Sequence, residues 1–433
     1  MKLTRRTALK SGLVVGGLAL GSKLARADSS SQATYYNQFA PYYPGKEPLG
    51  SEQMRITFLG SWYAERVVQS CNSIFVELGN GDNFVFDFGP GVLVKYNSMG
   101  IPQSSLNKIF LTHLHADHMT EVGMLYGFGS SYKRMQPLYV WGQDRSGVKD
   151  PAGNTYNDGI QDYCAHLREA FRWHTESQAF LPTQLASWTP PSWAPPDLVS
   201  TLDLVPFVLD WKQFPGPAYD YNKVKITHFP SVHCRAGSMA YKLVWNGLSM
   251  IFTGDTKPNY YLINQANGVD VLIHEMTTQP DVWVEHLTGL TPNDGDAWTT
   301  ALLQCTEVQE SSHTVDKAYG YVLNQIAKHP SKAPRLAVAT HFPSEDDTIA
   351  TSLDNVRLWY PNGDVVVATD LMVITVDKQK IDVRMAVIPD DAWPLAVQNP
   401  QGAPATPKYP TDTYQLDPTE LANTIDASVY NAR

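Results

Sequence analysis

Three imidazoles and a carboxylate fall within six residues in Thr112-His113-Leu114-His115-Ala116-Asp117-His118, at the end of a strand-like run over residues 108–112. Such a set converges only if the loop folds around something that wants nitrogen and oxygen ligands, and a divalent metal ion is the natural candidate. Histidines two apart on an extended segment point to the same side, so His113 and His115 can share one ion. Asp117 and His118 lie past the bend and can face a second. Surface histidines that meet by chance are the alternative, and the density of ligand-type residues argues against it.

This is the HxHxDH signature, and with it the sequence resembles the metallo-β-lactamase superfamily. The order of later residues fits the same family. His233 precedes Cys234-Arg235-Ala236-Gly237-Ser238 and a strand, Asp255 sits in Phe252-Thr253-Gly254-Asp255-Thr256, and His341 ends Leu336-Ala337-Val338-Ala339-Thr340. The resemblance implies His113, His115 and His233 on a first metal ion, Asp117, His118 and His341 on a second, and Asp255 bridging both. It also implies two zinc ions, with manganese or iron able to use the same ligands, and a hydroxide between them that attacks the substrate, Asp117 helping to orient it. His228, five residues before His233, competes for the same role. His233 is preferred because it leads directly into the glycine and strand of the family pattern.

Within the superfamily the chain most resembles the ribonuclease Z and arylsulfatase branch. Asp87 in Phe86-Asp87-Phe88-Gly89-Pro90-Gly91 matches an early Asp-x-Gly turn that supports the metal loop. Val271-Leu272-Ile273-His274-Glu275-Met276-Thr277 resembles a His-Glu-Ala-Thr segment, with Met276 where alanine is usual, and Ser312-His313-Thr314 resembles a later histidine motif. The resemblance implies that Glu275 orients His313, which contacts or protonates the reacting oxygens; a purely structural pair is the alternative. Thr227-His228-Phe229-Pro230 and Asp255-Thr256-Lys257-Pro258-Asn259-Tyr260 are similar to exported members associated with guanitoxin biosynthesis clusters, a likeness that supplies no reaction. His166, His174, His286 and His329 fall outside these patterns.

The elements that must position these residues are strands with intervening helices. Strand-like runs cover residues 54–60, 72–78, 83–88, 224–229, 238–245, 248–253, 269–273, 336–339 and 365–376, and helical spacing covers 162–173 and 315–328. The resemblance implies an α/β fold, a four-layer αββα sandwich over residues 28–397. Residues 28–52 read as an extended lead-in. Residues 127–221, rich in Trp, Tyr and Pro, read as a long insertion that covers or shapes a binding site. A Pro- and Thr-rich tail follows over 398–433, with a short helix possible near 418–424.

Residues 1–27 read as an address. Thr4-Arg5-Arg6-Thr7-Ala8-Leu9-Lys10 precedes a short apolar run and Ala25-Arg26-Ala27, which resembles a twin-arginine export signal. The run is too short and glycine-rich for a membrane anchor. The expected location is therefore the periplasm or the medium, the export machinery is an expected partner, and no membrane anchor remains after processing. Loss of Lys2, Arg5, Arg6, Lys10, Lys23 and Arg26 takes the formal charge from −10 to −16, which disfavours nucleic acid as a partner and favours a small-molecule substrate. Cys71, Cys164, Cys234 and Cys305 form no CxxC pair, and isolated thiols are expected for most. The expected activity is hydrolysis of a phosphodiester or sulfate ester of a small molecule. The alternatives are a lactonase or β-lactamase acting on an acyl carbon, and a non-catalytic metal-binding protein.

Overall fold

Apolar side chains in the strands alternate between two interiors, and that alternation defines the architecture. In Asn83–Phe86, Phe84 and Phe86 enter one core while Val85 enters another. In Val271–Glu275, Val271 and Ile273 join the first core and Leu272 joins a third. A strand buried on both faces has to supply apolar residues to each, as covered parallel sheets do.

The computed structural model describes residues 38–129, 134, 136–177, 190–195, 204–328, 332–389, 392–393, 419 and 422–431. The expected signal segment, residues 1–27, lies outside them, as do most of the tail and His329. The described residues belong to one compact unit, and among them no helix is long and apolar enough to cross a membrane.

With strands numbered along the chain, the first sheet runs β1 (Ala40–Tyr42), β16 (Ile381–Ala386), β15 (Met372–Val376), β2 (Met54–Gly60), β3 (Ser73–Leu78), β4 (Asn83–Phe86), β5 (Lys108–Phe110), β6 (Leu138–Gln143), β7 (Leu204–Leu209). The second runs β14 (Val365–Val367), β13 (Leu336–Thr340), β12 (Val271–Glu275), β11 (Leu248–Phe252), β10 (Met239–Trp245), β9 (Val224–Pro230), β8 (Gly216–Tyr221). Neighbours from β4 to β7 and from β11 to β14 are parallel.

Phe86, Phe110, Trp141, Tyr241 and Phe252 join the facing sheets in one buried cluster. Each such aromatic ring removed from water contributes about 1.5 to 3 kcal/mol. Helices α1 (Val92–Ser98), α3 (Val122–Phe128) and α4 (Ile160–Ser177) cover the outer face of the first sheet. Helices α5 (Tyr260–Gln265), α8 (Asp316–Lys328) and α9 (Asp346–Arg357) cover that of the second. The result is a four-layer αββα sandwich.

Three expectations need correction. Residues 127–221, read as a loop-like insertion, hold strands β6, β7 and β8, which extend both sheets. Part of their aromatic content is core: Trp141 stacks on Phe110 and on Phe207 with ring centroids 4.4 Å apart in each pair. The single run over 365–376 is two strands in different sheets, because the chain turns at Leu371, whose φ is 71°. Part of the lead-in is a strand, since Ala40–Tyr42 pair with Arg384, Met385 and Ala386 at the sheet edge.

Candidate metal centre

Most of the site residues singled out in the sequence lie at or just past the C-terminal end of a strand. Asp87 follows β4, His113 follows β5, His233 follows β9, Asp255 follows β11 and His341 follows β13, while Glu275 ends β12. His115 to His118 turn into a single helical turn, α2 (Ala116–Met119), for which His115 is the N-cap. Parallel pairing puts these strand ends along one rim, so residues more than two hundred positions apart share one volume.

Two groups of donor atoms, each within 4.8 Å of one another, occupy that rim: His113, His115, His233 and Asp255, then Asp117, His118, His341 and Asp255. Asp255 belongs to both. Its Oδ2 lies 3.9 Å from His113 Nε2 and 3.7 Å from His233 Nε2, and its Oδ1 lies 3.2 Å from His118 Nε2 and 3.3 Å from His341 Nε2. Asp117 Oδ2 is 3.1 Å from His118 Nε2 and 3.4 Å from His341 Nε2. His233 Nε2 sits 3.3 Å from His115 Nδ1, about the edge of a tetrahedron of nitrogens bonded to zinc at roughly 2.0–2.1 Å. His113 Nε2 and Asp255 Oδ1 are buried with no well-directed hydrogen bond. Lone pairs that converge without pairing cost free energy unless a cation takes them, so the donor set fits divalent metal.

The ligand rings are held from behind. Asp87, fully buried at φ 56°, accepts hydrogen bonds from the Thr112 backbone N–H at 2.7 Å and from His118 Nδ1–H at 2.7 Å. His118 is thereby left with Nε2 facing the rim. His233 Nδ1–H donates to the Ser312 carbonyl at 2.8 Å, which does the same for its ring. His341 stands at φ 61°, a left-handed backbone that a non-glycine residue adopts under constraint.

His313, the residue after α7 (Asp296–Ser312), donates Nδ1–H to Glu275 Oε2 at 2.8 Å. Burial opposes its protonation, but the Glu275 carboxylate more than offsets this and holds the imidazole up at about 9. Burial pushes Glu275 up despite that partner. Burial depresses His113, and His118 beside it adds to the effect. Burial also opposes charge on His118, yet Asp117, Asp255 and Asp87 together hold it well above its ordinary value.

A sequence model described as the metallo-β-lactamase superfamily matches residues 66–127, which include the whole HxHxDH segment. The chain is similar to ribonuclease Z from Pyrococcus abyssi, 24% identical over 204 residues, covering 46% of this chain and 66% of that protein. A ribonuclease Z from Treponema denticola is 39% identical over 62 residues, 14% of this chain and 20% of that protein. The chain thus spans less than two thirds of these relatives' own lengths. Among solved structures it is similar to the metallo-β-lactamase fold protein YhfI from Bacillus subtilis, with a TM-score of 0.48 and 15% identity over 75% of this chain and all of that one.

All seven ligand residues expected from the sequence meet at the rim, and Glu275 and His313 lie beside them. His228 does not, being buried on β9 against Gly216, where a Cβ would come within 2.1 Å of its Nε2. The four cysteines are free; Cys71 and Cys164 are buried, and Cys234 is exposed with Sγ 3.5 Å from His115 Nε2. Sequence reasoning missed Thr112 as the link between Asp87 and the metal loop, and the aromatic residues Tyr63 and Trp283 beside His341. Residue type was their only signal.

Proposed function

We propose that this protein is an exported, dinuclear metal-dependent hydrolase acting on a phosphodiester or sulfate ester of a small molecule. The observation that supports it most is Asp255, whose two carboxylate oxygens face separate clusters of imidazoles. One carboxylate so placed serves two cations and neither cluster alone needs it.

In this reading His113, His115 and His233 hold one zinc ion, Asp117, His118 and His341 hold the other, and Asp255 joins them. Manganese or iron suits the same donors. When bound, the two ions supply Lewis acidity and a water ionised near neutral pH. Asp117, more open than Asp255, orients the attacking water through its carboxylate. Glu275 accepts the Nδ1 proton of His313, so a protonated His313 has Nε2–H to donate to the leaving oxygen or to the charge that develops on the attacked group. A hydrogen-bond donor beside two metal positions suits phosphoryl or sulfuryl centres, whose oxygens carry more negative charge than an acyl carbonyl. The acidity of the chain, formally −10, also points away from nucleic acid.

Purified protein is expected to carry about two metal ions per chain. It is expected to turn over bis(p-nitrophenyl) phosphate or p-nitrophenyl sulfate faster than a lactone or a cephalosporin. His118→Ala abolishes that turnover while the circular dichroism spectrum is retained. Faster turnover of the acyl substrates refutes the ester reading, and full activity in His118→Ala refutes the metal assignment.

A further inference from the structure

The loop over residues 61–70, between β2 and β3, sets aromatic side chains at the edge of the metal centre. Tyr63 stacks on Trp283 of α6 (Pro280–Thr288) at 5.2 Å with an interplanar angle of 18°. The Tyr63 ring centroid is also 5.8 Å from that of His341. Trp62 meets Tyr63 edge-on at 5.1 Å. Tyr63 and Trp283 are only half-buried, so part of each ring remains open beside the imidazoles of the metal centre.

That wall is fixed. Gln69 donates to the Phe342 carbonyl and to Ser344 Oγ, both at 3.0 Å, and accepts from the Ser344 backbone N–H at 3.0 Å. The Phe342 N–H donates to the Ser61 carbonyl at 3.0 Å, and Ser61 Oγ donates to the buried Asp370 at 2.7 Å. The loop that carries Tyr63 is therefore tied to the segment directly after His341. A surface that is ordered before a ligand arrives loses less entropy on binding.

We infer that Tyr63 and Trp283 are specificity-determining residues, and that the substrate carries a flat aromatic or heteroaromatic group which lies along them, on the His341 side of the metal pair. The inference rests on the hydrolase reading above and adds to it the chemistry and direction of the group next to the ester. Had the two rings served only to pin α6 to the loop, packing would bury them as it buries Phe110 and Trp141. Offset stacking is the interaction that half-open aromatic faces offer a planar partner.

The test compares phenylphosphonate with methylphosphonate, which share an anionic head and differ in the ring. Their binding to the zinc-loaded, full-length protein is measured by calorimetry. The expected result is about tenfold tighter binding of phenylphosphonate, the scale of an aromatic stacking pair. Trp283→Ala and Tyr63→Ala bring the ratio towards one, whereas Trp283→Phe and Tyr63→Phe keep most of it, with zinc content measured alongside each. The phenylalanine variants also guard against an alanine variant that fails to fold. Equal affinities in the wild type, or a ratio unchanged in both alanine variants, overturns the aromatic wall and leaves the hydrolase reading standing. A protein that takes up no zinc, or that binds neither phosphonate when loaded, overturns the hydrolase reading and this inference with it.

Discussion

Asp87 ties the metal loop together with a single carboxylate: Oδ1 accepts from the Thr112 backbone N–H, and Oδ2 accepts from Thr112 Oγ1–H and His118 Nδ1–H. Its left-handed φ of 56° is one that Asn also tolerates, so Asp87→Asn should preserve the backbone while removing the anion that orients the imidazole. The expected outcome is metal affinity at the His118 position weaker by about 10- to 100-fold, measured by competition with a chelator, in a protein that still unfolds cooperatively. Unaltered affinity would show that Thr112 and the loop backbone orient His118 without help. At this scale the HxHxDH ligand types were plain in the chain. The choice between His228 and His233 was decided by packing, which seals His228 against Gly216 and turns His233 to the rim.

Between elements, the contact that aligns the two metal-bearing turns is a glycine. Gly254 follows β11 at φ 55°, and a Cβ there would lie 2.4 Å from Thr112 Oγ1, the residue that precedes His113. Gly254→Ala adds left-handed strain to a clash with a hydrogen-bonded side chain. It should cost about 2 to 4 kcal/mol in urea unfolding and lower the metal bound per chain. Wild-type stability together with wild-type metal content would remove this contact from the argument. Strands with strong alternation, such as β2 and β10, were readable with nearly their observed bounds. β6, β7 and β8 were not, because Trp, Tyr and Pro in a long stretch look alike whether they form a loop or fill a core. Strand β1, three residues long, exists through its pairing with β16.

For the whole molecule, acid stability follows from two buried histidines away from the metal rim. Burial holds His228 and His274 down at about 4, below their ordinary 6.5, although Asp210 and the Glu275 carbonyl respectively oppose the shift. Both are neutral in the folded state where the unfolded chain takes up a proton. Their share of stability is therefore complete above pH 6.5 and is lost as pH falls from 6.5 towards 4, at up to about 1.4 kcal/mol per pH unit for each. In chelator-treated protein, His228→Asn should lose stability less steeply than the wild type across that window. Parallel urea-midpoint profiles for the two proteins would exclude it.

The amino-acid sequence by itself determined the ligand chemistry, because histidines and aspartates spaced by two to four residues are a local property. It also determined most strands of the two sheets, because period-2 burial is local as well. The resemblance also named the seven side chains that meet, whereas which oxygen of Asp255 faces which cluster and the aromatic pair beside the site were decided only by the tertiary structure. These depend on strand pairing and on contacts between residues such as Gln69 and Ser344, whose proximity no spacing along the chain encodes.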